Sequence, residues 1–173
     1  MRRIMVVGVS PGVGKSTFAC QLGEKLDFPV VHLDSLYWEP GWVETPIETF
    51  EEAQRQAVAN ESWVIDGNYS GTFPIRLERA DAILYLERPL AVCLYRVLKR
   101  WFRNRGTIRP DVGAGCYEKV DADFLKFICS TYASRKKKMR QLLQSYESEK
   151  TVRRLGSQRE IDDFLAALKK PSD

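Results

Sequence analysis

This sequence has little of several things, and each scarcity narrows what the chain can be. His32 is its one histidine, and its four cysteines, Cys20, Cys93, Cys116 and Cys129, lie far apart with no CxxC pair. That spacing argues against a zinc site or a disulfide framework, and reduced, mostly packed thiols are expected. No apolar stretch approaches the ~20 residues of a membrane span. The first apolar run, Ile4-Met5-Val6-Val7, is too short for a secretory leader. A cytoplasmic protein without membrane contact is the expectation. The charge surplus is only +4, mild for a nucleic-acid binder and suited to small phosphorylated ligands. Repeats and low-complexity linkers are absent. What remains is ordinary: 173 residues, 44% hydrophobic and 29% charged, enough for one domain over 1–173 with a sizeable core.

The most informative stretch is Gly8-Val9-Ser10-Pro11-Gly12-Val13-Gly14-Lys15-Ser16-Thr17. It follows the apolar run directly and opens a helical pattern at Phe18, Leu22 and Leu26. A strand, a glycine-rich loop, Gly-Lys-Ser and a helix form the context of a P-loop. Its backbone N–H groups converge on phosphate, and the helix N-terminus adds partial positive charge. Gly12, Val13, Gly14, Lys15, Ser16 and Thr17 are the expected triphosphate cradle. Lys15 is placed to reach the β- and γ-phosphates, and the Ser16 hydroxyl to ligate Mg²⁺. The usual spacing would put the first glycine where Val9 stands; Gly8 lies one position earlier, where it shapes the entry to the loop.

Apolar runs and breakers lay out the rest. Strands are predicted over 3–7, 29–33, 63–67, 82–86 and 151–155. Helices are predicted over 14–26, 46–60, 90–103, 121–146 and 157–168. Thr45 reads as the N-cap of the second helix with Pro46 at its first position, Asp121 caps the fourth, and Ser157 with Glu160 forms a capping box for the last. The aromatic-rich stretch 34–42 is expected as a loop or short helix above the sheet, and 106–115 as a glycine-rich loop. Alternating strands and helices imply a parallel sheet covered on both faces. Chemistry is then expected at the carboxyl ends of the strands.

Two carboxylates fall at those ends. Asp66 closes the third strand, where it would orient Mg²⁺ directly or through water; the alternative is a strand-end cap or ion pair. Asp34 is a candidate base for an acceptor hydroxyl or a second metal partner; its alternative is an N-cap. Arg96, Arg100 and Arg103 share one helix face at i, i+4 and i+7, and Arg105 and Arg109 follow. They match the charge of a transferring phosphoryl group, or form a solvated face. Arg76 and Arg79 are candidates for an acceptor anion, with a helix-end ion pair as the other reading of Arg79. The run Arg135-Lys136-Lys137-Lys138-Met139-Arg140 is read as a solvated face, with Arg135 alone reaching the lid side; contact with a nucleic-acid phosphate backbone is the alternative. Trp38, Trp42, Tyr37 and Tyr69 are candidates to stack on a flat or sugar-like acceptor, whereas Trp63 belongs in the core.

The motifs Gly14-Lys15-Ser16-Thr17, Leu33-Asp34-Ser35-Leu36-Tyr37-Trp38-Glu39-Pro40-Gly41-Trp42 and Trp63-Val64-Ile65-Asp66-Gly67-Asn68-Tyr69 resemble the bacterial topology modulation protein family. So do Arg76-Leu77-Glu78-Arg79-Ala80-Asp81, Cys93-Leu94-Tyr95-Arg96-Val97-Leu98-Lys99-Arg100, Arg109-Pro110-Asp111 and Gly115-Cys116. The resemblance covers nearly the whole chain and implies an adenylate-kinase-like α/β fold, a P-loop NTPase with five parallel strands in the order 2-3-1-4-5. It also implies a small lid at about 103–120, with Arg96 and Arg100 as the arginine pair before the lid and residues 155–157 near the adenine. The expected function is an ATP- and Mg²⁺-dependent phosphotransferase acting on an unidentified small acceptor, nucleotide or nucleoside included. Catalysis is expected from Lys15, Asp34, Arg96 and Arg100, with Ser16 and Asp66 on the metal. An ATP-responsive regulator of DNA topology and an NTP hydrolase are the alternatives. No helix-turn-helix or zinc finger supports direct DNA binding.

Overall fold

The computed structural model describes residues 1–104, 107, 112, 115–117 and 119–168. Five parallel strands form its centre: β1 (Arg3–Gly8), β2 (Val30–His32), β3 (Trp63–Asp66), β4 (Ala82–Leu86) and β5 (Thr151–Leu155). Their spatial order is β2-β3-β1-β4-β5, the expected 2-3-1-4-5. Continuous apolar runs make the central strands. Ile4 to Val7, Trp63 to Ile65 and Ala82 to Leu86 are fully buried, the pattern of a sheet covered on both faces. Each buried valine, leucine, isoleucine or methionine among them contributes about 1.5–3 kcal/mol of transfer free energy.

The connections are helical: α1 (Lys15–Leu26), α2 (Leu33–Tyr37), α3 (Ile47–Ala59), α4 (Phe73–Arg79), α5 (Leu90–Arg103), α6 (Ala122–Gln144) and α7 (Gln158–Ala167). Helix α1 packs on α7, α3 on α4 and α5 on α6. Strand pairing sets what meets at the functional end of the sheet. In the β2–β3 register His32 lies opposite Asp66, and in the β1–β3 register Val6 does.

Most predicted boundaries lie within two residues of those observed. The stretch 34–42 is more structured than expected: α2 leads into a small antiparallel hairpin, Trp38–Glu39 against Val43–Glu44. Thr45 is not the cap of α3. Pro46 occupies that position, while the Thr45 hydroxyl donates to the Leu36 carbonyl at 3.1 Å and its N–H to Tyr37 O at 2.8 Å. The threonine closes the hairpin onto α2. Asp121 does cap α6, accepting from Phe124 N at 2.8 Å. Ser157 accepts from Glu160 N at 3.1 Å, but Glu160 reaches back to Gly156 N, one residue before the position a capping box uses. Arg105, Arg109 and half of the expected lid at 103–120 lie outside the described residues. Among the described residues no helix is long and apolar enough to cross a membrane.

Candidate nucleotide and acceptor site

A cavity of about 1530 Å³ opens over the carboxyl ends of β1, β2 and β3. Its floor is the loop between β1 and α1. Gly14 caps α1 with φ +103°, a conformation that glycine adopts without strain. Phe18 N is the first α1 amide to close on the helix, onto Gly14 O at 3.1 Å. The three N–H groups before it are therefore helix-terminal donors facing the cavity. The displaced first glycine has a steric cause. A Cβ on Gly8 would lie 2.5 Å from Val13 Cγ1 and 3.0 Å from Lys15 Cγ, because the loop folds back over the end of β1. Val9 points the other way, fully buried, with its N–H on Leu86 O at 3.0 Å.

Gly12, Val13, Gly14, Lys15, Ser16 and Thr17 all line the cavity. Behind them, Ser16 Oγ donates to Asp66 Oδ2 at 3.0 Å. Asp66 is buried, and its other oxygen lies 2.5 Å from His32 Nδ1. A carboxylate only accepts, so the proton sits on Nδ1. Nε2 then faces Cys20 Sγ at 3.6 Å. A hydroxyl and a carboxylate oxygen side by side are hard donors of the kind Mg²⁺ takes, directly or through water. His32, given no role from the sequence, fixes the orientation of that carboxylate. The signal was its place at the end of the strand next to the one that Asp66 closes.

Helix α5 supplies the opposite wall. A Cβ on Gly12 would meet the Cys93 carbonyl at 2.3 Å, so this helix sits hard against the loop. Arg96 Nη1 donates to Val13 O at 3.1 Å. Arg96, Arg100 and Arg103 all face the cavity, joined by Lys99. From α6, Arg135 and Lys138 face it too. The basic run is thus not a uniformly solvated face. Arg135 stacks 4.6 Å from the Phe127 ring centroid, and burial lowers its guanidinium below its ordinary value. Lys136 and Arg140 are bound to Glu87. Burial alone would raise the Glu87 carboxyl, but hydrogen bonds from Arg140 and Lys136 outweigh it and hold the group below the usual range.

The third wall carries Asp34, Trp38, Trp42 and Tyr69. Tyr69 donates its hydroxyl to Asp34 Oδ1 at 2.6 Å; burial, then the Asp34 charge, push that phenol well above its ordinary value. Tyr37 packs edge-on against Trp38 and Phe50, and Trp63 is fully buried as expected. Asn68, which the sequence did not single out, forms a two-bond clamp with Gly8: it accepts from Gly8 N at 2.9 Å and donates to Gly8 O at 2.7 Å. Arg76 does not reach an acceptor. It is fully buried and donates to the carbonyls of Gly67, Asn68 and Tyr69 at 2.8, 3.0 and 3.2 Å. Arg79 is exposed and lies outside the cavity lining. Near the loop after β5, Gln158 and Ile161 close the far end of the cavity, and Arg88 Nη1 donates to Gly156 O at 3.0 Å.

No protein-family model and no curated protein matches the chain. Solved structures do. The fold is similar to a sugar kinase from Janibacter sp. HTCC2649 in an unliganded form, at 17% identity and TM-score 0.54, over 96% of this chain and 93% of that one. It is similar to the shikimate kinase of Bacteroides thetaiotaomicron, at 16% identity and TM-score 0.56, over 95% and 94%. The shikimate kinase of Aquifex aeolicus gives 16% identity and TM-score 0.55 over the same shares. At such identities the likeness is one of fold, and the fold is that of the P-loop kinases.

Proposed function

We propose that this chain is a phosphotransferase that moves the γ-phosphoryl group of ATP to a hydroxyl of a small acceptor. One observation carries the reading. The Ser16 hydroxyl rests on the Asp66 carboxylate at the foot of a glycine loop whose cavity also holds Lys15, Asp34, Arg96 and Arg100. Lys15, Ser16, Asp34, Arg96 and Arg100 line one cavity with Asp66 buried behind Ser16, which supports positioning and charge stabilisation of a phosphoryl group.

The roles follow from chemistry. Gly12 to Thr17 hold the triphosphate through backbone N–H groups, and Lys15 contacts its outer phosphates. Ser16 and Asp66 hold Mg²⁺, which when bound neutralises charge on the phosphates. The acceptor oxygen bonds to the γ-phosphorus as the bond to the bridging β,γ-oxygen breaks. The hydroxyl proton passes to Asp34 and on to solvent, and ADP leaves with the electron pair. Arg96 and Arg100 balance charge on the group in flight. We propose further that residues 1–173 form one domain with a lid near 103–120, that the chain is one of the topology modulation proteins, and that it acts in the cytoplasm. A DNA-regulating role has less support, because Lys136 and Arg140 of the basic run are engaged by Glu87.

Thermal unfolding with ATP, with and without Mg²⁺, tests the reading in wild type, Lys15→Ala and Asp66→Asn. At about a hundred times Kd the ligand adds about 2.7 kcal/mol, a shift of several degrees. The shift should vanish in Lys15→Ala, and its Mg²⁺-dependent part should vanish in Asp66→Asn. No shift with any nucleotide would overturn the reading. Steeply salt-dependent DNA binding would favour the regulator instead.

A further inference from the structure

We propose that the acceptor is an uncharged, hydroxyl-bearing ring compound, a free sugar or the ribose of a nucleoside, held between the Asp34–Tyr69 pair and the rings of Trp38 and Trp42. This deepens the phosphotransferase reading and rests on it. The argument starts from the uneven charge of the cavity. The lysines and arginines that line it come from α1, α5, α6 and Lys119, and His32 at the end of β2 is held by Asp66. The wall built by α2, the hairpin and the loop after β3 presents Asp34, Trp38, Trp42, Asn68, Tyr69 and Ser70, one acid and no base.

The three bases between residues 33 and 80 are each accounted for. Arg55 pairs with Glu51 at 2.8 Å on α3. Arg76 is fully buried, spent on three carbonyls. Arg79 is exposed outside the cavity lining. Lys119, at the rim of the cavity, pairs with Asp121 at 3.2 Å. A phosphate or carboxylate on the acceptor would therefore sit against Asp34 without a Lys or Arg countercharge from the described residues of this wall, and like charges in a partly desolvated site repel.

A hydroxyl fits the same wall. Tyr69 occupies Oδ1 of Asp34, and no other hydrogen bond to that carboxylate occurs among the described residues, so Oδ2 is left to accept from a ligand O–H. The aromatic pair supplies the apolar face. The Trp38 and Trp42 rings stand 5.5 Å apart at 69°, both half-buried, and form a corner rather than a slot. They are pre-set. Trp42 has φ +64° in the hairpin turn and donates Nε1–H to Tyr117 O at 2.9 Å, while Trp38 meets Tyr37 edge-on at 4.9 Å. Rigid aromatic walls with one acceptor oxygen suit the C–H face of a sugar, or a base beside its ribose.

Saturation-transfer NMR on the full chain, loaded with Mg²⁺ and a non-hydrolysable ATP analogue, tests this. The probes are glucose, myo-inositol, adenosine and uridine, each uncharged, against glucose 6-phosphate, AMP and UMP. At least one uncharged probe should bind, with its monophosphate about tenfold weaker or worse; the sugar and nucleoside arms identify the source. Trp42→Gly, which suits the positive φ, and Trp38→Phe should each weaken that probe about tenfold while leaving affinity for the analogue unchanged. A monophosphate binding more tightly than its parent would overturn the inference. So would no uncharged probe binding at millimolar concentration, or both variants binding as wild type does. Analogue binding on the same samples separates the two readings: if it is intact, only the acceptor class fails, and if it is absent, the phosphotransferase reading fails with it.

Discussion

Arg76 is a guanidinium with no solvent exposure in a wall that faces a polar cavity. Burial lowers it from its ordinary value to about 10, with Asp66 and Tyr69 pulling the other way, so it is charged at neutral pH. Three carbonyls of consecutive residues, 67 to 69, converge on its two terminal nitrogens. It therefore holds the turn that places Asn68 on Gly8 and Tyr69 on Asp34. Arg76→Ala takes the side-chain donor from Gly67 O and Asn68 O, while Tyr69 O keeps the Thr72 N–H and hydroxyl, at a cost of about 3 kcal/mol. Urea unfolding should read that loss, together with a weakened grip on the acceptor and little change for ATP. An unfolding midpoint equal to wild type would contradict the assignment. The sequence offered Arg76 as a ligand for an anion because an arginine after an Asp-Gly turn looks free. Only the approach of the turn's own carbonyls shows otherwise, and no local pattern encodes that. The places of Lys15 and Ser16 on the cavity and of Asp66 at the end of β3 were legible, because a glycine loop between strand and helix fixes the first two and an apolar run closing on an acid fixes the third. His32 and Asn68 were not, since each matters through a neighbour on another strand.

Among the elements, the β1–β4 junction is held by one side chain. Asp81, just before β4, accepts from the N–H groups of Arg2 and Arg3 at 2.8 and 3.0 Å. It also accepts from Arg3 Nε at 3.0 Å and Nη2 at 2.6 Å. Burial alone would raise its carboxyl, but these donors outweigh it and hold the group below the usual value. A carboxylate depressed in the folded state favours folding above its unfolded pKa of 3.8, and that contribution fades as pH falls through the lower folded value. The pair is about a third exposed, so solvent screening leaves about 1 kcal/mol. Asp81→Asn should cost that much at pH 7 and less at a pH well below 3.8, read from denaturant curves at both. An equal loss at both values would contradict it. The five strands and the longer helices were readable from period and breakers, since burial on both faces leaves β1, β3 and β4 little freedom of composition. The hairpin at 38–44 was not, because it rests on distant contacts: Gly41 N to Gly115 O at 3.2 Å and Cys116 Sγ to Glu39 O at 3.2 Å. Those tie it to a segment more than seventy residues away, whereas Thr45 was misread as a cap because its hydroxyl and N–H turn back to Leu36 and Tyr37.

At the scale of the molecule, one end of the sheet gathers the chemistry. A parallel sheet in the order 2-3-1-4-5 sends β1 and β3, side by side, to the same edge of the cavity, so the P-loop and Asp66 meet without any long-range device. Helix α5 brings its arginines over the loop because Gly12 lets the Cys93 carbonyl approach. The result is a cavity with a cationic side and an aromatic, acidic side, which the proposed reaction assigns to the phosphates and to the acceptor. Phosphorus NMR of ATP and Mg²⁺ with the uncharged acceptors, wild type beside Lys15→Ala, is the most direct test. The expected result is loss of the ATP γ-signal with matched growth of ADP and a new phosphomonoester resonance, absent in Lys15→Ala. ATP that stays intact, or yields only inorganic phosphate, would contradict a phosphotransferase.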